Sequence, residues 1–431
     1  MTASGLGRTV AVIGAGVVGA ATACELAARG WRVLLIDPHE PGTGTSEGNA
    51  GHIGTEQHAT LASLPNIFGS PRQLFAIGGP VDVRFERPLL VAAWFARLLW
   101  ASRPRSAARG QQALGGLAMR AAGDWRALLA AAGAPQLLHL DGHDEIREGR
   151  QAVRATARRA RELAALGIES RPAQLSAPVP DAARAAVLHV AGSGHVENSL
   201  AVTRALVASM LARGGSYRAA AVERIEPRSG GVAVVIAAAE VLVDRVVVAC
   251  GVRSAQLLRP FGLTVPLIAE RGYSLSIRAP GPWPFTRTQV YDRRALVVTP
   301  MDFGLRVTSF VEFGVPDLRP DLRKIAWLER QVAELGLAPL GAEVRAWSGC
   351  RPTLPDYLPA IGRLSQLPAI AYAFGHQHLG LTLAASTATL LAEAMSDGDA
   401  GALAPFRIER FTGWAPDPSR RGEYRTGGWL D

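Results

Sequence analysis

Residues Thr9 to Asp37 read TVAVIGAGVVGAATACELAARGWRVLLID, and this stretch decides the fold. A β-rich run, Val10 to Ile13, meets Gly14-Ala15-Gly16-Val17-Val18-Gly19. An Ala-rich helical segment follows to about Arg29, Gly30 stops it, and a second apolar run, Val33 to Ile36, ends on Asp37. Strand, tight turn, helix, strand and acid are the context in which G-x-G-x-x-G reads as a dinucleotide-binding βαβ unit. Gly14 permits the turn, Gly16 lets backbone approach a pyrophosphate, and Gly19 lets helix and strand pack closely. Free N–H groups and partial positive charge at the helix N-terminus favour that pyrophosphate. Asp37 can accept hydrogen bonds from a ribose hydroxyl. A merely structural Gly/Ala-rich turn would leave the acid unexplained.

The chain has 431 residues, 48% of them hydrophobic, enough for two sizeable cores. No run of about 18 apolar residues predicts an ordinary transmembrane helix, and no charged segment followed by an apolar one predicts a secretory leader. Cys24, Cys250 and Cys350 show no C-x-x-C spacing, no metal pattern and no disulfide framework. A reducing, cytoplasmic location and no bound metal are therefore expected. The net charge is +9, yet Lys324 is the only lysine and the arginines are spread along the chain. The dense patch Arg154, Arg158, Arg159 and Arg161 reads as a solvated helix face, so nucleic acid is not an expected partner. Attraction to an anionic membrane surface stays open. A single lysine, placed in a charged helix (residues 321–329), argues against Schiff-base chemistry.

Helices are expected at 89–100, 114–132, 150–166, 199–214, 321–335 and 379–395. Strands are expected at 137–144, 232–236, 241–249, 265–278, 288–298, 305–313 and 369–374, with a Pro-rich segment from Arg345 to about Gly362. A βαβ start and a closing strand–helix pair suggest an α/β Rossmann-like domain made of 1–85, 150–262 and 345–410. An antiparallel-sheet substrate domain, 86–149 and 263–344, would be inserted in it, with 411–431 an irregular tail. The apolar helix 89–100 carries Arg97, with Arg103 past its end. It reads either as a helix lying on the inner membrane face or as a buried helix of the inserted domain.

Three further segments carry chemistry. Thr45-Ser46-Glu47-Gly48-Asn49-Ala50-Gly51-His52-Ile53 follows the second strand where a pyrophosphate would continue. Val247-Val248-Ala249-Cys250-Gly251 is a buried strand ending in small residues, with Cys250 a core residue lacking any flanking base. Trp347-Ser348-Gly349-Cys350-Arg351-Pro352-Thr353-Leu354-Pro355-Asp356 precedes Gly375-His376-Gln377-His378-Leu379-Gly380-Leu381-Thr382, where a strand turns into a helix through glycines.

With Arg271-Gly272-Tyr273-Ser274-Leu275, these segments resemble the D-amino-acid oxidase family of FAD enzymes, from Val10 to about Met395. The likeness is closest to bacterial FAD-dependent D-amino-acid and D-hydroxyproline dehydrogenases. It implies non-covalent FAD. Gly14, Gly16, Val17, Val18 and Gly19 would cradle the diphosphate, with Asp37 and Pro38 at the adenosine ribose and Val222 at the adenine. Ser46, Asn49, Ala50, Gly51, His52 and Ile53 would run along the cofactor, and Ala249 and Gly251 would meet the diphosphate. Gly349, Gly375, His376, Leu379, Gly380 and Thr382 would sit by the flavin ring. The cysteine that carries FAD covalently in some relatives aligns with Gly349, one position before Cys350.

The resemblance assigns the substrate carboxylate to Arg351, whose planar fork suits that group. His52 and His378 depart from many relatives; each is a candidate substrate contact or proton acceptor, or a polar wall residue. Tyr273 and Tyr291 are pocket candidates or core residues. The expected reaction is oxidation of a D-amino acid to its imino acid by hydride transfer to flavin N5, with no catalytic base assigned. Favoured substrates are cis-4-hydroxy-D-proline and D-proline, and the acceptor a quinone or respiratory-chain component. A broad-specificity D-amino-acid dehydrogenase, an oxygen-using oxidase and a flavin-carrying subunit of a larger dehydrogenase remain alternatives.

Overall fold

The computed structural model describes residues 8–57, 74–237, 239–279, 283–396, 398 and 401–414. The opening stretch folds as its pattern requires: strand Thr9–Ile13, helix Val17–Ala28, strand Arg32–Asp37. These strands pair in parallel within a six-stranded sheet. Its order is Ser216–Ala219, Arg32–Asp37, Thr9–Ile13, Arg245–Val248, Ile370–Phe374 and Ala360–Arg363, the last antiparallel. Because strand side chains alternate, Val10 and Val12 face one core while Ala11 and Ile13 face another. On the first face pack helices Val17–Ala28, Pro104–Ala131, Ser199–Ala212 and Gly380–Ser396. On the second lies a three-stranded antiparallel sheet, Arg224–Arg228, Gly231–Ile236 and Ala239–Val243. Helix Gly380–Ser396, with the short turn before it, is long and apolar enough to cross a bilayer, but it is mostly buried in this core.

A larger mixed sheet stands beside this unit. Its strands run in the order Glu343–Thr353, Ile268–Arg278, Gly304–Gly314, Leu296–Met301, Thr288–Tyr291, His143–Glu148, Ala185–Val190 and Ser170–Ala173, with Val81–Val83 also paired to Gly304–Gly314. A small sheet of His52–Ile53, Gly194–Val196 and Leu138–His139 joins the two units.

The expected domain division needs correcting. Residues 170–173 and 185–190, expected in the nucleotide unit, are strands of the large sheet, and helix Ala152–Ala165 packs on them. Helix Pro104–Ala131, expected in the inserted domain, packs instead on Gly380–Ser396, where the Trp125 indole N–H donates to the Leu381 carbonyl at 2.9 Å. Sequence order cannot show which core an apolar face enters.

Several element boundaries also differ. Residues 137–144 form two strands in different sheets, broken before Gly142 (φ +84°). Residues 241–249 likewise split at Asp244, which accepts bonds from the Thr9 N–H and hydroxyl. Residues 288–298 hold a hairpin turn, with Ala295 at φ +49°. The Pro-rich segment from 345 is mostly strand Glu343–Thr353; it is an edge strand, where Pro352 costs no ladder bond. In the arginine patch, Arg158 is exposed, but Arg159 donates to buried Glu145 at 3.0 Å. Helix Pro88–Ala101 buries Val91, Trp94 and Leu98 and exposes Leu89 and Leu99, so one face is core and the other surface. Residues 408–414 form a 3-10 helix, and the rest of the expected tail lies outside the described residues.

Candidate active site: a nucleotide cradle facing a charged wall

The cleft encloses about 570 Å³ between the C-terminal ends of the parallel strands and the large sheet. At one end Gly14 adopts φ +106°, and a Cβ there would lie 2.5 Å from the Ala249 carbonyl oxygen. Gly19 serves packing, since its Cβ would meet the Gly14 oxygen at 1.9 Å. Asp37 accepts from the Ala15 and His39 amides at 2.8 and 2.9 Å, which holds its carboxylate beside the turn. Ser46 accepts from the Val17 N–H at 3.0 Å, and Asn49 Oδ1 from the Gly51 N–H at 2.8 Å. These bonds fold the polar stretch against the helix N-terminus. Val17, Val18, Pro38, Ala50, Ala249 and Gly251 all line the cleft.

Towards the middle, Thr382 ties the last helix to the other wall: its hydroxyl accepts from the Gly54 N–H at 3.1 Å and donates to the His52 carbonyl at 3.5 Å. Leu379, Gly380 and Thr382 line the cleft at the start of helix Gly380–Ser396, where amide N–H groups point outward. His376 is buried with Nε2 3.0 Å from the Thr387 hydroxyl, and burial pulls its pKa down to about 3. His378 is pulled to about 3 as well, first by burial and then by the Arg351 charge. Its Nε2 lies 2.7 Å from Gln57 Oε1. A neutral imidazole of this kind is a hydrogen-bonding wall and a poor proton store at neutral pH.

Arg351 comes from the edge strand and reaches into the cleft. Nη1 donates to Glu270 Oε1 at 3.1 Å and to the Phe310 carbonyl at 3.0 Å. Phe310 sits at φ +73° where the pairing of 268–278 with 304–314 slips, so a β-bulge turns that carbonyl towards the arginine. The guanidinium lies over Gly272, whose Cβ would stand 2.2 Å from Nη2. Glu270 is 1% exposed, whereas the Arg351 side chain keeps 22% exposure. One edge of the fork is thus anchored while the group still opens to the cleft.

The structure sorts the remaining expected residues. Tyr273 reaches the cleft, but its hydroxyl donates to Glu312 at 3.0 Å and accepts from the Asp321 N–H at 2.9 Å. Tyr291 is a correction: it is fully buried in the large-sheet core and donates to the Pro178 carbonyl at 3.1 Å. Gly51, Ile53, Val222 and Gly375 are not among the residues that line the cleft. Gly375 (φ +81°) sets the strand-to-helix turn. Gly349 lines the cleft, and Cys350, on the opposite strand face, points to the Pro316 carbonyl at 3.6 Å. Burial pushes the thiol of Cys250, at the diphosphate end, up to about 12.

The sequence reading missed Gln57, Glu270 and Phe310. It also missed Trp347 as a packing residue: its ring fills the space that side chains at Gly48 and Gly349 would take. Lys324 lies in the expected helix and is buried there, with Nζ 2.6 Å from Asp82 Oδ2 and in contact with Glu312.

The cradle fits FAD. Adjacent glycine turns leave no room for Cβ atoms, two helix N-termini face the cleft, and a carboxylate stands at the ribose end. Comparison with known proteins agrees. The family model described as FAD dependent oxidoreductase (DAO) matches residues 9–394. The chain is 31% identical to a D-amino-acid oxidase of Bradyrhizobium diazoefficiens, over 94% of this chain and 99% of that protein. It is 30% identical to D-amino acid dehydrogenase 2 of Pseudomonas aeruginosa, over 90% and 95%. Its fold is similar to glycine oxidase from Geobacillus kaustophilus, with TM-score 0.72, 22% identity, and 94% and 99% coverage.

Proposed function

This chain belongs to the DAO family of FAD-dependent oxidoreductases, and from that premise we propose that it oxidises the α-carbon–nitrogen bond of a D-amino acid. The observation that carries this reading is Arg351, held by Glu270 and the Phe310 carbonyl with its open side in the cleft. A planar fork fixed along one edge can take a carboxylate in one orientation, which sets where the α-C–H points. FAD, when bound, supplies the two-electron acceptor at flavin N5. The names of the two relatives, a D-amino-acid oxidase and a D-amino acid dehydrogenase, support a D-substrate.

The chain's own residues position the substrate and exclude water. Arg351 holds the carboxylate, and the amine is turned towards the wall of His52, Gln57 and His378. His378, neutral and paired with Gln57, donates or accepts a hydrogen bond but does not store the ammonium proton. The substrate therefore reacts as the neutral amine, its proton lost to solvent on binding. This polar wall also gives a ring hydroxyl a partner, which favours cis-4-hydroxy-D-proline, with D-proline next. We assign the electrons to a quinone or another respiratory-chain acceptor, and the FAD is held without a covalent bond.

The test is anaerobic bleaching of the flavin by a panel of D- and L-amino acids. Fast bleaching by the two cyclic D-substrates alone supports the full reading. Bleaching by many acyclic D-amino acids moves it to a broad D-amino-acid dehydrogenase, and no bleaching by any D-amino acid overturns it. Readmitting air with and without a soluble quinone separates an oxygen-using enzyme, the activity named for the Bradyrhizobium relative, from a quinone-linked one.

A further inference from the structure

Behind the cleft wall, three side chains from two distant segments converge. His52 and Glu56 lie on the stretch after the short linking strand, and His143 opens a strand of the large sheet. One donor atom from each falls within 4.8 Å of the others. His52 Nε2 is 3.5 Å from Glu56 Oε1, and His143 Nε2 is 4.0 Å from the same oxygen. The side chains are 8%, 5% and 1% exposed. The two rings stand 4.8 Å apart, edge to face at 72°.

We propose that His52, Glu56 and His143 form a binding site for a divalent first-row metal ion of the zinc type. Four observations support it. The outer nitrogens of both rings are already fixed: His52 Nδ1 lies 3.1 Å from the Gly194 carbonyl, and His143 Nδ1 lies 2.7 Å from Ser193 Oγ. A carbonyl only accepts, so His52 Nδ1 carries the proton and Nε2 presents its lone pair inward. Ser193 Oγ donates to the Val190 carbonyl at 3.3 Å, so it accepts from His143 Nδ1, and that ring's Nε2 faces Glu56 and Glu145, where a metal ion would take the place of a proton. This is the backing that metal-bound imidazoles receive.

Next, His52 Nε2 and Glu56 Oε2 are buried without a hydrogen-bond partner among the described residues, a costly arrangement that a cation would relieve. Space is also reserved, since a Cβ on Gly54 would stand 3.1 Å from both His52 Nε2 and Glu56 Oε1. Finally, the donor set matches two imidazoles and a carboxylate, which bind zinc at about 2.0–2.2 Å. Such bonds bring ligand atoms to roughly 3.2–3.5 Å from one another, so the site needs only a small contraction. Glu145 Oε1, 3.9 Å from His143 Nε2, stands within reach of a further coordination position. Bound there, the ion would pin the segment carrying His52 and Gln57 to the large sheet and so stiffen the wall that faces Arg351.

The site shares His52 with the cleft wall, so it is tested without activity. The flavoprotein is stripped with chelator, given zinc chloride alone, desalted, and analysed for zinc and thermal stability. About one zinc per chain is expected, with a rise in Tm of roughly 3–5 °C at saturating zinc. His143→Ala and Glu56→Gln should lose the zinc and the shift, with flavin absorbance reporting that they fold. His139→Ala removes an exposed histidine paired with Glu197 at 2.8 Å and should lose neither. Zinc retained by both ligand variants, or lost in His139→Ala, overturns the proposal. Should the ligand variants fail to fold, competition with a chromogenic chelator on the unaltered protein decides: no zinc held more tightly than about 10 µM, an affinity of roughly 7 kcal/mol, overturns it as well.

Discussion

At one end of the cleft Gly14, Gly16 and Gly19 let main chain do the binding, and the nearest carboxylate, Asp37, is satisfied by neighbouring amides. Across from them the large sheet presents buried charge: Arg351 on Glu270, Lys324 between Asp82 and Glu312, and Glu145 between Arg147 and Arg159. The cradle is built from local sequence and needs little electrostatic compensation. The wall desolvates ions and keeps them only because each meets a partner of opposite charge, in most cases on another element. A cradle residue should therefore fail through shape, and a wall residue through unpaired charge.

Lys324→Met should be the most damaging change, because it removes the buried cation from between Glu312 and Asp82. We expect a loss of about 3–5 kcal/mol in urea unfolding. An effect below about 1 kcal/mol would break the contrast. Arg351→Lys keeps the charge but not the fork. It should lower kcat/KM by about 10²–10³-fold, roughly 3–4 kcal/mol, while the flavin spectrum is retained. Gly14→Ala forces a Cβ against the Ala249 carbonyl and strains a left-handed residue. FAD affinity should drop about 100-fold, roughly 3 kcal/mol, read as the flavin-to-protein absorbance ratio after dilution.

Stability should also depend on pH. Burial lowers His195, His376 and His378 to about 3 in the folded chain, against about 6.5 unfolded. Between those values the unfolded chain binds more protons, so stability falls as pH drops below about 6.5. His143 acts oppositely. Burial disfavours its charge, but Glu56 and Glu145 outweigh that and raise its pKa, so its contribution is full below about 6.5 and fades as pH rises. With three groups against one, the unfolding free energy measured in urea should be lower at pH 5 than at pH 7.5, by on the order of 4 kcal/mol. Tyr291→Phe should matter least. It removes one hydrogen bond worth about 1 kcal/mol and should change kcat/KM less than about twofold. A large kinetic effect would return Tyr291 to the pocket.

The same contrast explains what could be read from the chain alone. The glycine turn, Asp37 and the strand–helix closure at 370–396 are contiguous signals whose spacing is their meaning, and the structure shows them as expected. Arg351 was legible through its motif, but its partners were not. Glu270 lies 81 positions away, and Phe310 acts through a carbonyl turned by a bulge. The burial of Lys324 was not legible, because the acids that pair with it, Asp82 and Glu312, belong to other elements. Tyr291 alternates correctly for a sheet residue, yet alternation does not say which face meets the cleft. His52 and His143 are far apart in the chain and lie on strands of different sheets, so only the packing of the two units brings them together.

The most direct test follows flavin absorbance in an anaerobic stopped-flow experiment. D-proline, its L-enantiomer and carboxylate-free pyrrolidine are each mixed with the native protein and with Arg351→Lys. D-proline should bleach the native flavin with a saturating rate, neither L-proline nor pyrrolidine should match it, and Arg351→Lys should raise the half-saturation concentration with the oxidised spectrum intact. Pyrrolidine bleaching as fast as D-proline, or an Arg351→Lys variant indistinguishable from the native protein, would contradict a carboxylate anchored by Arg351.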